Sequence, residues 1–485
     1  MDDPDLRKRI DRGIAWVSAA TATVAVGDVV ALALILHYWL EVSEFGVVSA
    51  VVTVFPALTL IAELGLPASL VQGPEPDDDR LSTLFWIGLG AGLVAYLAVA
   101  GLAPWLARLQ GHDDMAALFR TCGLLLVIRP LYTVHRALMR RQLRFKELSV
   151  VRVIANAVEL VVKLGLAAAG YGVWCLVIAP LARELIYAIG VPLCARWRPR
   201  LRCRVRLAAQ DARFGLRASA SEILYQLYSN ADYQVVAAAF GASALGLYRA
   251  AYELVIEPVR FVSEVVTIVA FPTFARLRND RAAVAAQFLT FAKQNLMVVL
   301  TVVGLILVAA EDLLTVLIGA GYAPAATAAR VLAVVGVLRA LSHLGPPLLD
   351  GLGRPELTVR YQATAAVALI SLYVGFAWLA GGLGFLSVAL AWSLGYPLAV
   401  CVLAVQVSEQ LRQPVTALLR ALARPAALIV AATVLGGLAR LALPATLGQG
   451  GRLAVTAVVV VGGSVALLIL GGALSPRAVL RALRR

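Results

Sequence analysis

The chain has 485 residues, 61% of them hydrophobic, a mean hydropathy of +0.85 and a formal net charge of +14. One soluble core cannot hide that much apolar surface, so composition excludes a soluble enzyme and points to a chain covered by a bilayer. The basic excess lies in short loops between apolar segments, the pattern of membrane topology and not of a nucleic-acid-binding face.

A spanning helix needs about 20 mostly apolar residues. The N-terminal MDDPDLRKRIDRG leads into the first such run without a small-residue cleavage motif, so the first span is expected to be retained. In chain order the runs are Gly13 to Leu36, Glu44 to Val71, Ser82 to Ala107, Met115 to His135, Leu148 to Ala169 and Gly172 to Arg196. Then come Asp211 to Phe240, Ala244 to Pro272, Val284 to Ala309, Pro324 to Leu349, Leu357 to Ala380 and Phe385 to Ser408, followed by Ala417 to Leu443 and Leu453 to Ala473. The expected fold is therefore an all-α polytopic membrane protein of about 14 transmembrane helices.

Charge orients the array, because cytoplasmic loops retain Lys and Arg. Basic residues concentrate at Arg136 to Lys146, Arg196 to Arg213, Arg276 to Arg281 and in the tail at Arg477, Arg481, Arg484 and Arg485. The intervening turns at His37 to Ser43, Gly170, Gly241 to Ser243, Glu311 to Ala323 and Gly381 to Gly384 carry no Lys or Arg, and only Arg108, Arg440 and Arg452 fall outside. Both termini are then expected to be cytoplasmic. No outer loop exceeds about 15 residues, whereas a separate catalytic or binding domain needs about 50, so the chemistry belongs within the bilayer or at its faces.

A weak internal repeat lies at an offset of 200 residues. EFGVVSA at Glu44 to Ala50 overlies ALGLYRA at Ala244 to Ala250, matching Gly46 with Gly246, and GYGVWCLVIA from Gly170 resembles GGLGFLSVALA from Gly381. Two pseudo-repeated six-helix lobes are expected, residues 1–198 and 199–410, with residues 411–485 forming two appended helices.

Ionisable residues inside a span are costly and face a hydrated cavity or one another. In the eighth span Arg249, Glu253, Glu257, Arg260 and Glu264 share one arc of about 80°, either neutralising each other at i, i+4 or walling a hydrated cavity. The seventh presents Ser219, Glu222, Gln226, Ser229 and Tyr233 on one arc, with Asn230 and Asp232 at its margins. Asp28 in the first span lies within a few residues of where the repeat would place a counterpart of Asp232. Asp28, Asp232, Glu253 and Glu257 are the candidate ion-coupling acids, for H+ or Na+, with structural pairing as the alternative.

Arginine forks suit a pyrophosphate, which makes Arg129, Lys163, Arg183, Arg249, Arg260 and Arg339 candidate substrate contacts alongside Glu222, Gln226 and Tyr233. Glu159 precedes Lys163 at i, i+4 and Glu184 adjoins Arg183, whereas Arg129 and Arg339 have no acid nearby in sequence. Pro56, Pro130, Pro180, Pro258, Pro346 and Pro347 interrupt spans that alternating access would have to bend. The five cysteines are scattered without C-x-x-C or metal-ligand spacing, and no Walker motif appears, so neither a metal nor ATP is expected and no cofactor is assigned.

SEFGVVSAVVTVFPALTLIAELGLPASLVQ from Ser43 to Gln72, NADYQVVAAAFGASALGLYRAAYELVIEP from Asn230 to Pro258 and GYGVW from Gly170 to Trp174 resemble segments of Wzx-type polysaccharide flippases of the MOP superfamily. The resemblance departs at His37 to Trp39, where the family often has an Arg-containing L-A-R. It implies a monomeric flippase of the bacterial inner membrane, not an enzyme, that moves undecaprenyl-pyrophosphate-linked oligosaccharide to the periplasmic leaflet by ion-coupled rocking of two lobes. Expected partners are the lipid-linked oligosaccharide, membrane lipids, and a polysaccharide polymerase and export machinery; nucleic acid is not among them. The alternatives are a peptidoglycan-precursor flippase or drug/cation antiporter of the same superfamily, a membrane glycosyltransferase or polymerase, and a non-transporting scaffold.

Overall fold

The computed structural model describes residues 4–474 apart from 64, 68–69, 71–75, 110–114 and 203. The basic tail at Arg477, Arg481, Arg484 and Arg485, and Cys203, lie outside the described residues. The chain is 89% helical, without strands among the described residues, and its helices resolve into 14 membrane-length segments.

The N-terminal segments are α1 (Pro4–Tyr38), α2 (Val42–Ala62), α3 (Asp78–Leu109), α4 (Met115–Ile128 with Pro130–Arg141), α5 (Phe145–Ala168) and α6 (Trp174–Ala195). One continuous run, Val205–Leu277, divides into α7 (205–240) and α8 (242–277). The rest are α9 (Arg281–Leu313), α10 (Ala320–Gly351), α11 (Pro355–Leu379), α12 (Leu386–Leu411), α13 (Val415–Ala442) and α14 (Gly448–Leu470). Contacts group the residues into two compact units, Met1–Gly246 and Leu247–Arg485.

Among the described residues, nine of these segments are apolar enough to cross a membrane on length and composition, and the bent α4 makes a tenth. Of the others, α1 has only a short apolar stretch, Thr23–Tyr38, while α5, α7 and α8 each carry several ionisable side chains that lower their hydropathy; α6 stays apolar enough around Arg183 and Glu184. Apolar side chains cover the remaining surface: Leu193 is 70% exposed and Trp378 84%, as lipid-facing positions should be.

Proline sets the breaks. Pro56, Pro130 and Pro346 each stand in the first turn of a second helical piece, where a missing N–H costs nothing. The two pieces of α4 meet at 41° with Arg129 at the junction. By contrast Pro180 and Pro258 lie within unbroken helices.

The expected turn at Gly241 to Ser243 is not a loop. The helix resumes after one residue, Gly241, at φ 82 and ψ 179, a conformation open to glycine and strained for a residue with a Cβ. That single-residue break lets α2 and the start of α8 approach closely. A Cβ on Gly46 would overlap the Ala242 carbonyl, and one on Gly246 would overlap the Val42 carbonyl. Residues 42 and 46 thus meet 242 and 246 reciprocally, at the offset of 200 that the sequence repeat shows.

Candidate functional site

In the N-terminal unit the charged faces of α1, α4, α5 and α6 meet. Glu159 of α5 accepts Lys163 Nζ at 3.0 Å and Arg183 Nη1 at 2.8 Å. Arg183 Nη2 reaches Glu184 at 3.1 Å, and Glu184 also accepts Arg129 Nη2 at 3.3 Å and the Tyr132 hydroxyl. At the other end Lys163 lies 3.8 Å from Asp28. Asp28, Lys163, Glu159, Arg183, Glu184 and Arg129 therefore form one alternating chain of charges. The two glutamates are its most enclosed members, with side chains 4% and 3% exposed.

The chain borders a cavity of about 270 Å³, whose remaining polar walls are Arg136, Arg152, Asn156 and Tyr187. Arg136 stacks over the Tyr132 ring at 5.3 Å, and Arg152 donates to Thr21 Oγ1 at 3.0 Å. Four guanidiniums thus face the cavity against the carboxylates of Asp28 and Glu184.

Sequence reasoning had singled out Arg129, Lys163, Arg183 and Asp28, and the structure brings all four together. The acid that Arg129 lacks in its own helix is Glu184, 55 residues away. Arg136, Arg152, Asn156, Tyr132 and Tyr187 were missed. A signal existed in α5: residues 152, 156, 159 and 163 follow the 3.6-residue period and mark one polar face.

On α7 the polar arc bonds along itself. Gln226 donates to Glu222 at 2.9 Å and Asn230 to the Gln226 carbonyl at 2.8 Å. Glu222 is exposed, Tyr233 buried, and Asp232 wholly buried with its carboxylate accepting the Tyr233 N–H. Asp28, at 43% exposure, has no such enclosure, so these two acids occupy different environments.

In the C-terminal unit the α8 stripe pairs internally: Arg249 with Glu253 at 3.2 Å, and Arg260 with both Glu257 and Glu264. The Arg260 end of the stripe is the more open, since Arg260 is 45% exposed and Arg249 17%. On the same helix Leu254 and Pro258 line an apolar cavity of about 570 Å³ with residues of α9 and α14, among them Met297, Leu305, Val461 and Leu468.

Arg339 is placed differently from the other cations. Its side chain is buried, donating to the Tyr252 hydroxyl and lying 5.2 Å from the Trp392 ring. It faces aromatic packing and positions Tyr252, the neighbour of Glu253. Tyr252→Phe removes a hydroxyl acceptor from a buried guanidinium, and thermal unfolding should show a loss of about 1–3 kcal/mol.

Membrane-length helices with paired charges inside them, a cationic cavity and a separate apolar one define a polytopic membrane protein, and its fold is like that of solved MOP superfamily transporters. A family model described as polysaccharide biosynthesis protein matches residues 35–327, more than half of the chain, and the chain belongs to that family. The lipopolysaccharide biosynthesis protein WzxC of Escherichia coli (strain K12) is 24% identical over 402 residues, covering 78% of this chain and 77% of that protein. The succinoglycan biosynthesis transport protein ExoT of Rhizobium meliloti (strain 1021) is 28% identical over 363 residues, 74% of this chain and 73% of its own. Among solved structures, the lipid II flippase MurJ in an inward closed conformation superposes with a TM-score of 0.77 at 12% identity, covering 96% of this chain and 99% of that one. The resemblance read from Ser43 to Gln72 and Asn230 to Pro258 agrees with the family match.

Proposed function

We propose that this protein is an inner-membrane flippase for undecaprenyl-pyrophosphate-linked oligosaccharide, carrying it from the cytoplasmic to the periplasmic leaflet by ion-coupled alternating access, with both termini cytoplasmic. The observation that carries this reading is the 270 Å³ cavity of the N-terminal unit, lined by Arg129, Arg136, Arg152 and Arg183 within membrane helices. Guanidinium forks match phosphate oxygens, and in a low-dielectric setting their charge would be costly without an anionic role. The apolar cavity along α8, α9 and α14 suits the other half of the substrate, a polyprenyl chain. Excess positive charge disfavours the drug/cation antiporter, since a cationic substrate would be repelled. A peptidoglycan precursor shares both the diphosphate and the polyprenyl chain, so the saccharide distinguishes it.

Purified protein in proteoliposomes should transfer lipid-linked oligosaccharide to the leaflet where an impermeant lectin captures it, and an imposed H+ or Na+ gradient should accelerate transfer. Absence of transfer under both gradients would refute the reading. Transfer of the peptidoglycan precursor alone would move the assignment to that alternative. Glycosyl transfer by the purified protein would make it an enzyme.

A further inference from the structure

The cationic cavity and Glu184 share their arginines, and this has a chemical consequence. Glu184 of α6 is held from α4 by Arg129 and Tyr132, and from its own helix by Arg183. Arg183 is held from its other side by Glu159 of α5, whose second partner is Lys163, and Lys163 faces Asp28 of α1. At the end of α2, Glu63 accepts from Thr133 of α4 at 3.3 Å. Arg136 and Arg152 line the cavity, and among the described residues neither forms an ion pair. Among the described residues, too, the buried Nε of Arg129 has no acceptor. A buried donor without an acceptor beside a cavity walled by four guanidiniums is a setting in which an anion would satisfy it.

We propose that this cavity binds a multiply charged anion of phosphate chemistry between Arg129, Arg136, Arg152 and Arg183, and that the anion draws Arg129 and Arg183 from Glu184, which then binds a proton from water. Only the identity of the natural anion, a diphosphate, rests on the function proposed above. The unpaired Nε of Arg129 shares its fork with the Nη2 that holds Glu184 by a single bond at 3.3 Å, so an anion taken bidentately by that fork competes directly with Glu184. Even where a bond to Glu184 persists, a dianion beside a carboxylate that is 3% exposed disfavours its charged form. The covalent balance is one O–H bond formed at the carboxylate and one proton withdrawn from solvent. Anion and proton would therefore bind cooperatively at adjoining points, and reciprocity requires that each strengthen the other.

The test is calorimetry of inorganic sulfate binding to the full chain in nanodiscs, in two buffers of different ionisation enthalpy. Sulfate exchanges no proton of its own near neutral pH. About one proton should be taken up per sulfate bound, and affinity should fall about tenfold per pH unit across that window. Glu184→Gln, which keeps a hydrogen-bonding group beside Tyr132, should bind sulfate without proton uptake and without pH dependence there. Arg152→Gln, remote from Glu184's own bonds, should weaken binding at every pH while retaining the proton count. Sulfate binding without proton uptake in the unmodified protein would overturn the proposal, as would unchanged uptake in Glu184→Gln or absence of sulfate and pyrophosphate binding by monodisperse protein. Lipid transfer is measured separately. Transfer without the proton linkage overturns only this inference, and the linkage without transfer overturns only the flippase reading.

Discussion

Gly46→Val is expected to lower lipid-linked oligosaccharide transfer by more than about tenfold while leaving the chain folded and inserted. A valine at position 46 would place its Cβ on the Ala242 carbonyl, and no rotamer relieves an overlap between a Cβ and a backbone. The helices must separate at that point, and a contact energy change of only about 1.4 kcal/mol is already tenfold in a conformational equilibrium or a rate. Because α2 and the start of α8 meet reciprocally through Gly46 and Gly246, the change strains both halves of one self-complementary seam. The far end of α2 has a second seam of the same kind. Gly65, at φ +65, and Gly215 of α7 are each close enough that a Cβ on one would overlap the backbone of the other. Gly215→Val therefore opens the opposite end. If alternate opening of the two ends drives transfer, the two variants should both impair it but shift the protein in opposite directions. Spin labels on the exposed Glu41 and Ser243 would report the difference. Their separation should increase in Gly46→Val and remain as in the unmodified protein in Gly215→Val. Unchanged transfer and unchanged label distance in Gly46→Val would mean the seam plays no part in the cycle.

The helical segmentation was legible in the sequence because a bilayer demands apolar runs of fixed length, a constraint that prints itself on local composition. That signal is local, so the helical segments emerged near their observed bounds without any knowledge of packing. The α7–α8 break was misjudged for a related reason. A Gly-Ala-Ser stretch reads as a turn, yet one glycine with a left-handed φ absorbs the whole change of direction. The candidate site was legible by residue type and illegible by pairing. Arg183 and Glu159 are 24 residues apart and Arg129 and Glu184 are 55 apart, separations fixed by which helices pack side by side. The pairs at i, i+4, Lys163 with Glu159 and Arg249 with Glu253, were visible because the helix alone sets them. Arg339 illustrates the converse. Lacking an acid nearby in sequence, it read as a free cation, whereas Tyr252 and Trp392 enclose it through contacts that no spacing rule announces.

Glu159→Leu is expected to destabilise the N-terminal unit by about 3–5 kcal/mol, the usual consequence of removing one partner from a buried ion pair. Glu159 is the single carboxylate shared by Lys163 and Arg183, and its side chain is 4% exposed. Its loss leaves Arg183 with Glu184 alone, and leaves Lys163 with Asp28 at 3.8 Å. Glu159→Gln should cost less, because the amide oxygen still accepts a hydrogen bond. Lys163→Met should be milder than either glutamate variant, since Arg183 then neutralises Glu159. The informative variant is the double one. In Glu159→Gln with Lys163→Met the buried cation and anion leave together, and much of the lost stability should return, giving a non-additive cycle in thermal unfolding. Additive losses would show that the two side chains act independently despite their 3.0 Å contact. The same double variant separates stability from transport. It keeps Glu184, Arg129 and Arg183, so if the alternating charges served only to hold the helices together, a refolded double variant would transfer lipid normally. If Lys163 is needed to hold Asp28 in the charge chain, the variant would be stable yet slow, and that outcome would assign the chain of charges to the transport cycle and not to the fold alone.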